Sequence, residues 1–139
     1  MTVEWNGDEV ERALRARLSR NMKQVTSYVR GEIRKAVNRS QPFRRTAKGD
    51  LVGLDPSAPG EPPKKLSSIL ADSLATDQRE SPLEITGVIG TNVEYAKRLE
   101  YGFTGTDAAG RSIDQAPRPF LRPGLADNLP AIRRILARE

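Results

Sequence analysis

The feature that most constrains this chain is a long apolar stripe near its beginning. Apolar side chains recur there at three- and four-residue steps, and most positions between them are charged. This spacing predicts one amphipathic α-helix over residues 8–38, because residues three and four apart share a helix face. Such a helix is about 45 Å long, which favours packing against a neighbour as well as its own domain. The stripe comprises Val10, Leu14, Leu18, Met22, Val25, Val29, Ile33 and Val37.

The sequence also indicates where this helix begins and where it ends. Asn6 with Glu9 fits a capping box, and Asp8–Glu11 is the alternative pair. The helix is expected to end near Asn38, because Pro42 disfavours helical geometry in the residue before it.

The middle of the chain predicts short elements between two long loops. The Pro- and Gly-rich ranges 40–65 and 103–118 show no helical or strand period and are interpreted as projecting loops. Alternation over 83–89 predicts a half-buried strand, paired across a turn at Ser81–Pro82 with a strand over 74–80. Two short helices are expected between the loops. The apolar face of the first comprises Leu66, Ile69, Leu70 and Leu74. The second is capped by Asn92 and ends at Gly102, and its apolar residues are Val93, Tyr95, Ala96 and Leu99.

The last element predicted is a C-terminal helix. It begins near Gly124, and Pro130 is placed to split or kink it. Its expected apolar side comprises Leu125, Leu129, Ile132 and Leu136. Together these elements predict a single α+β domain over residues 1–139, in which the long N-terminal helix and the C-terminal helix pack on a small antiparallel sheet.

Composition disfavours most enzyme classes. The 139 residues include no His and no Cys, so Ser–His–Asp and Cys–His catalytic sites cannot form. A Ser–Lys pair from 64–68 is interpreted as a helix start. The carboxylates that come closest to a metal site, Asp72, Asp77 and Glu80, are interpreted as solvated residues. The Gly-rich range 102–111 is interpreted as a loop. We therefore expect no catalysis, no metal and no cofactor.

Charge and hydropathy indicate the kind of partner. The net charge is +5, from 23 basic and 18 acidic residues. No apolar run approaches membrane-spanning length and the first residues do not resemble a signal peptide, so we expect no membrane contact. The exposed face of the first helix is a candidate for contact with DNA or acidic surfaces, through Arg12, Arg20, Lys23 and Arg30. Pairing of this face with Glu9, Glu11 and Glu32 or with a neighbouring subunit is the alternative, and partner contact is favoured because no nucleic-acid-reading motif is present.

The order of segments resembles the tail-completion and neck proteins of lambdoid and related siphophages. The long charged helix leads to a break at Ser40–Gln41–Pro42, and Gly60–Pro63 precedes a helix start at Lys64–Ile69. Two further segments are more specific. Val88–Gly102 is a strand ending in Gly-Thr, followed by Tyr-Ala and then Leu, Glu, Tyr and Gly. The other segment is Pro117–Leu125. The resemblance spans nearly the whole chain. Gly124 departs from it, since the family tends to have Ala there, and the 40–65 loop offers no pattern to compare.

The resemblance implies a structural protein of the phage neck. It would be a subunit of a ring, expected to be six-fold, that completes the tail end and enables head–tail joining. The implied partners are further copies of the chain, head-closure or connector, tail-terminator and tail-tube proteins, with non-specific contact to packaged DNA. The implied location is the virion, after assembly in the host cytoplasm.

Within this interpretation, the expected partner-contact residues are Arg44, Arg45, Lys48, Glu100, Arg118, Phe120 and Arg122. Glu100 is expected to be exposed and to pair with Arg118 or Arg122. For Phe120, insertion into the chain's own core is the alternative to a subunit contact.

Overall fold

A single long helix is the scaffold of the structure, a computed structural model that describes residues 1–65 and 67–139. Helix α1 spans Gly7–Val37, about 46 Å at the standard rise. The predicted capping box is wrong, because the Asn6 side chain makes no capping bond and its backbone carbonyl instead accepts the N–H groups of Glu9 and Val10 at 3.1 Å. The predicted end is confirmed, with Asn38 following the last helical residue.

The strands found in residues 1–65 and 67–139 form three separate antiparallel hairpins rather than one sheet. Strands β1 (Phe43–Arg45) and β2 (Leu51–Gly53) form the first, and β3 (Ala75–Glu80) pairs with β4 (Ile85–Gly90). Strands β5 (Phe103–Thr106) and β6 (Ser112–Gln115) form the third. The β3–β4 pair confirms the predicted strands.

Both predicted loops are corrected, because each contains a hairpin. The strands of these hairpins are only three or four residues long, too short for alternation to be visible in the sequence. Their turns have one design, with a glycine at positive φ, Gly49 at 89° and Gly110 at 76°. Thr46 and Asp107 close the turns through backbone bonds of 2.9–3.0 Å.

Four short helices complete the fold of the described residues. They are α2 (Ile69–Ser73), α3 (Ala96–Tyr101), α4 (Leu121–Ala126) and α5 (Leu129–Leu136). The single C-terminal helix predicted from Gly124 is therefore two helices, and Pro130 lies in the first turn of the second one, where its missing N–H costs little. Gly102 ends α3 as predicted, at φ 76°, but Tyr95 rather than Asn92 precedes its first residue.

The core lies along the C-terminal half of α1. Val25, Val29, Ile33 and Val37 pack there against side chains from the other helices. The partners are Leu70, Ala71, Leu74, Ala96, Phe120, Ile132 and Ile135. Ile69, Leu125 and Leu129, all expected on apolar faces, are exposed instead, while Leu66 lies outside the described residues.

Two glycines allow close approach to α1. A Cβ at Gly87 in β4 would lie 2.5 Å from Thr26 Cγ2, and a Cβ at Gly124 in α4 would lie 2.2 Å from Ile33 Cγ1. The backbones of β4 and α4 therefore pack directly on the scaffold helix.

The N-terminal half of the apolar stripe is only partly covered. Val10 and Leu14 are exposed, and Leu18 and Met22 are half-buried. Among the described residues, none of the helices combines the length and the apolar character that a membrane crossing requires.

Candidate functional site

A buried polar arrangement joins α3 to residues 117–123, called here the strap. Glu100, near the end of α3, has 3% of its surface exposed. The strap leads into α4, whose first backbone N–H groups have no partner inside that helix. The Glu100 carboxylate supplies the missing acceptor.

Glu100 accepts four hydrogen bonds from the strap. Its Oε2 accepts the backbone N–H groups of Phe120 at 2.8 Å and Leu121 at 3.0 Å. Its Oε1 accepts the backbone N–H of Arg122 at 3.0 Å and the Arg122 Nε–H at 3.1 Å. The Arg122 Nη2 also donates to the Glu100 backbone carbonyl at 3.0 Å. We call this arrangement the Glu100 clamp.

The clamp corrects two expectations about Glu100. The side chain is buried, not exposed, because the strap folds over it. It pairs with Arg122 but not with Arg118, whose Nε donates to the Ser57 carbonyl at 3.0 Å.

The clamp also sets the ionisation of Glu100. Burial disfavours the charged carboxylate, but the backbone N–H groups of Phe120, Leu121 and Arg122 and the Arg122 side chain stabilise it more strongly. The pKa of Glu100 is therefore lowered from its ordinary value. The carboxylate is charged when it holds the strap.

Two further backbone hydrogen bonds hold the first residues of the strap. The Arg118 backbone N–H donates to the Leu99 carbonyl at 2.6 Å, and the Gly60 N–H donates to the Pro117 carbonyl at 2.9 Å. Phe120 is 1% exposed and lies in the core, so the core alternative applies and its ring is not available to a partner in this conformation. The strap therefore has a fixed backbone with one buried aromatic anchor.

Two cation–aromatic pairs lie beside the clamp. The Arg122 guanidinium lies 4.9 Å from the ring centroid of Tyr101, and that of Arg98 lies 4.1 Å from the ring centroid of Phe103. Tyr101 is largely exposed, so this pair forms a surface of the kind enriched in protein interfaces. Neither pair was predicted from the sequence, because each joins residues on different elements.

The other predicted contact residues lie on the β1–β2 hairpin. Arg44, Arg45 and Lys48 are exposed there with Phe43, and we call this element the basic hairpin. Arg45 Nη1 donates to the Gly49 carbonyl across the turn at 3.2 Å. The structure thus divides the predicted contact residues between the basic hairpin and the clamp with its strap.

The basic face of α1 has few internal contacts. Arg12 Nε donates to the Asp8 carbonyl at 3.2 Å. The side chains of Arg20, Lys23 and Arg30 are exposed and donate to no acceptor in the described part of the chain. Arg12, Lys23 and Arg30 share one face, since eleven- and seven-residue spacings are close to whole numbers of turns.

An open apolar groove, which was not predicted from the sequence, lies between α1 and the β3–β4 turn. Leu14, Leu18 and Met22 lie along one side, and Leu83 and Ile85 along the other. Leu83 was interpreted as the start of a strand face, but it lies in the turn and is 99% exposed. An apolar residue beside Ser81–Pro82 was the available signal.

The candidate catalytic groups have ordinary structural partners. Lys64 pairs with Asp55 at 2.7 Å, and Asp72 pairs with Arg34 at 2.8 Å. Glu80 accepts the Ser19 hydroxyl at 2.6 Å. Across residues 1–65 and 67–139 no group of three or more carboxylate, His or Cys side chains is placed to hold a metal ion.

Comparison of the chain with protein-family models, curated proteins and solved structures finds no match in any of the three. In the part of the chain that the structure describes, the fold and the site define an α+β protein with a long helical scaffold, three hairpins and a buried carboxylate that fixes a proline-rich strap. Its functional assignment therefore rests on the geometry and on the sequence motifs described above.

Proposed function

We propose that the chain is a structural subunit of a phage neck ring, which completes the tail end and makes it competent to join a filled head. The observation that carries this proposal is the Glu100 clamp. It connects the two segments with the most specific resemblance to tail-completion proteins, Val88–Gly102 and Pro117–Leu125. The motif residue Glu100 has a clear physical task in that connection.

The distribution of exposed groups supports an assembly role. The basic hairpin presents cations, the clamp surface presents Tyr101 and Arg122, and the groove presents Leu83. These are three different surfaces on one small chain, and assembly proteins need at least two so that each copy contacts neighbours on both sides. A fixed proline-rich strap also reduces the entropy lost when a surface docks.

The proposal is tested by removing the gene from a phage that carries it and imaging the lysate by negative-stain electron microscopy. We expect filled heads and separate tails, which join when the purified chain is added. Intact virions formed without the protein would refute the joining role.

Variants sharpen the same assay. Arg44→Glu with Arg45→Glu is expected to reduce joining, because it reverses the charge of the basic hairpin. Arg133→Glu with Arg134→Glu in α5 is the matched control, since both residues are exposed and make no ion pair in the described chain. Equal loss of joining by both pairs would indicate a general charge effect.

A second candidate function is non-specific nucleic-acid binding by α1. It is favoured by the free side chains of Arg20, Lys23 and Arg30. Binding of the purified chain to duplex DNA should then weaken steeply with salt, and each of the substitutions Arg20→Gln, Lys23→Gln and Arg30→Gln should reduce the slope by about 0.9. A salt-independent or undetectable interaction would exclude this function.

A further inference from the structure

The apolar groove has room for an aromatic side chain. The open space between α1 and the β3–β4 turn has a volume of ≈ 370 Å³. An apolar cavity of about 150 Å³ accepts a benzene molecule, so a phenyl ring fits in this space. Leu14 and Leu83 are left exposed at its edges, and covering them would remove apolar surface from water.

The free charge at the rim of the groove is negative. Glu11 and Glu84 line it, and neither forms an ion pair within the described residues. The one cation in the lining, Arg15, is already engaged. It donates to the carbonyls of Ser81 and Pro82, the latter at 3.1 Å, and lies 3.9 Å from Glu80. An occupant with an apolar centre and cationic flanks therefore matches this groove.

The basic hairpin has that composition. Phe43 is 54% exposed, with Arg44 and Arg45 directly after it and Lys48 in the turn. Neither Arg44 nor Lys48 forms an ion pair in the described chain. An exposed aromatic ring beside unpaired cations is typical of residues that dominate interface energies.

The hairpin and the groove lie at opposite ends of α1. The hairpin follows the last turn of the helix, whereas the groove is built on its first half, so about 30 Å of helix separates them. The base of the hairpin is fixed by bonds from Leu54 N–H to the Pro42 carbonyl and from Lys65 N–H to the Arg39 carbonyl, both 2.8 Å. A copy therefore cannot fill its own groove without unfolding this base.

We propose that the basic hairpin of one copy docks into the apolar groove of the next, with Phe43 in the groove and Arg44 and Lys48 facing Glu11 and Glu84. This contact joins two different patches, so each copy donates one and accepts one. Contacts of this kind propagate head to tail and close into a ring when the rotation between copies permits. The inference deepens the proposed ring function and rests on it for its biological role, while the contact itself rests on charge and shape.

Cysteine cross-linking tests the contact directly, because the natural chain has no cysteine. Ala47→Cys, in the turn of the basic hairpin, and Ser81→Cys, in the β3–β4 turn, are at exposed positions and leave Phe43 and Leu83 in place. The two substitutions are combined in one chain and treated with a short bis-maleimide, both as the concentrated purified protein and in assembled particles. We expect a ladder of multimers from the double variant. An equal mixture of the two single variants should stop at a dimer, and either single variant alone should remain monomeric.

The control pairs Ala108→Cys, at the exposed turn of the β5–β6 hairpin, with Ser81→Cys and should give no ladder. Arg44→Glu with Arg45→Glu should weaken self-association of the double-cysteine chain about a hundredfold, because like charges would then meet at the groove. Cross-linking between two Ser81→Cys chains alone would overturn the proposal in favour of a symmetric contact. Absence of the 47–81 product from both purified protein and particles would also overturn it.

These results separate the contact from the neck function. A 47–81 ladder in a phage whose heads and tails join without the protein would sustain the contact and refute the function. Normal complementation by a chain that never forms the 47–81 product would sustain the function and refute the contact.

Discussion

At the residue scale, the single carboxylate of Glu100 accepts the hydrogen bonds that hold the strap in place. Three consecutive backbone N–H groups of the strap depend on it. Glu100→Gln keeps the size of the side chain but turns an N–H₂ group toward donors. We expect the free energy of unfolding to fall by about 3 kcal/mol, the scale of leaving buried hydrogen-bonding groups unpaired.

Urea denaturation of the two proteins measures this loss. Glu94→Gln, an exposed carboxylate two residues before α3, is the matched control and should leave stability nearly unchanged. A loss below about 0.5 kcal/mol for Glu100→Gln would mean that the clamp contributes little, the range of an ordinary surface substitution.

The clamp also predicts how stability depends on pH. The pKa of Glu100 is lowered in the folded chain from its ordinary value of 4.5, because its hydrogen bonds to the strap outweigh the cost of burial. A carboxyl with a lowered folded pKa contributes stability above its unfolded pKa and loses it as pH falls through the folded value. The stability difference between wild type and Glu100→Gln should therefore be constant near pH 7 and shrink progressively below pH 4.5. A difference that does not change with pH would show that the carboxylate charge is irrelevant.

Gly124 tests the packing of α4 on α1. Gly124→Ala would place a Cβ 2.2 Å from Ile33 Cγ1 and should cost about 1–3 kcal/mol through overpacking. Gly31→Ala is the control within α1, where a Cβ meets nothing within 4 Å, and should stabilise by about 0.5–1 kcal/mol. Thermal unfolding of both variants gives the comparison, and a stabilising Gly124→Ala would show that α4 can move away from Ile33.

At the element scale, what the sequence could predict depends on how local the signal is. Helix α1 and the β3–β4 pair are long enough for apolar periodicity, so their positions were predicted correctly. The β1–β2 and β5–β6 hairpins have strands of three and four residues, and their remaining signals are the polar-x-x-Gly turns at Thr46 and Asp107. Such turns are a known hairpin pattern and would have located both elements.

The candidate site was harder to predict because its parts are distant along the chain. The polarity of Glu100 suggested exposure, but its burial depends on N–H groups twenty residues later. Phe120 as a core anchor was an alternative that sequence alone left open. The groove depends on a turn approaching a helix about sixty-six residues away, which no local pattern reports.

The two halves of α1 should differ in dynamics. The C-terminal half lies in the core, whereas the first turns contact little except the β3–β4 turn. Amide hydrogens of residues 26–37 should exchange more slowly than those of 11–18 by roughly a hundredfold in the isolated chain, because exchange follows local stability. Hydrogen-exchange mass spectrometry measures this, and uniform protection along α1 would mean that the first half is stabilised by contacts other than those seen.

At the scale of the whole molecule, the arrangement of charge follows the axis of α1. The basic hairpin lies at one end, and the unpaired Glu11 and Glu84 lie near the other. A chain with opposite charges at its two ends favours head-to-tail association over symmetric pairing, because symmetric pairing brings like patches together. The sparse core and the half-covered helix fit a protein that completes its burial with neighbours.

Reciprocal charge reversal tests this polarity in solution. One variant carries Arg44→Glu with Arg45→Glu, and the other carries Glu11→Arg with Glu84→Arg. Each variant alone presents like charges at its hairpin and groove, so it should remain monomeric at concentrations where the wild type associates. An equal mixture restores opposite charges at every contact and should associate again, in alternating order.

Alternation has a consequence that a non-specific charge effect does not share. A closed ring of two alternating variants must contain an even number of copies, so the proposed ring, if six-fold, should contain three of each. Sedimentation velocity and native mass spectrometry of the mixture measure both size and composition. Assemblies that contain unequal numbers of the two variants would mean that net charge, rather than contact between the basic hairpin and the apolar groove, drives the assembly.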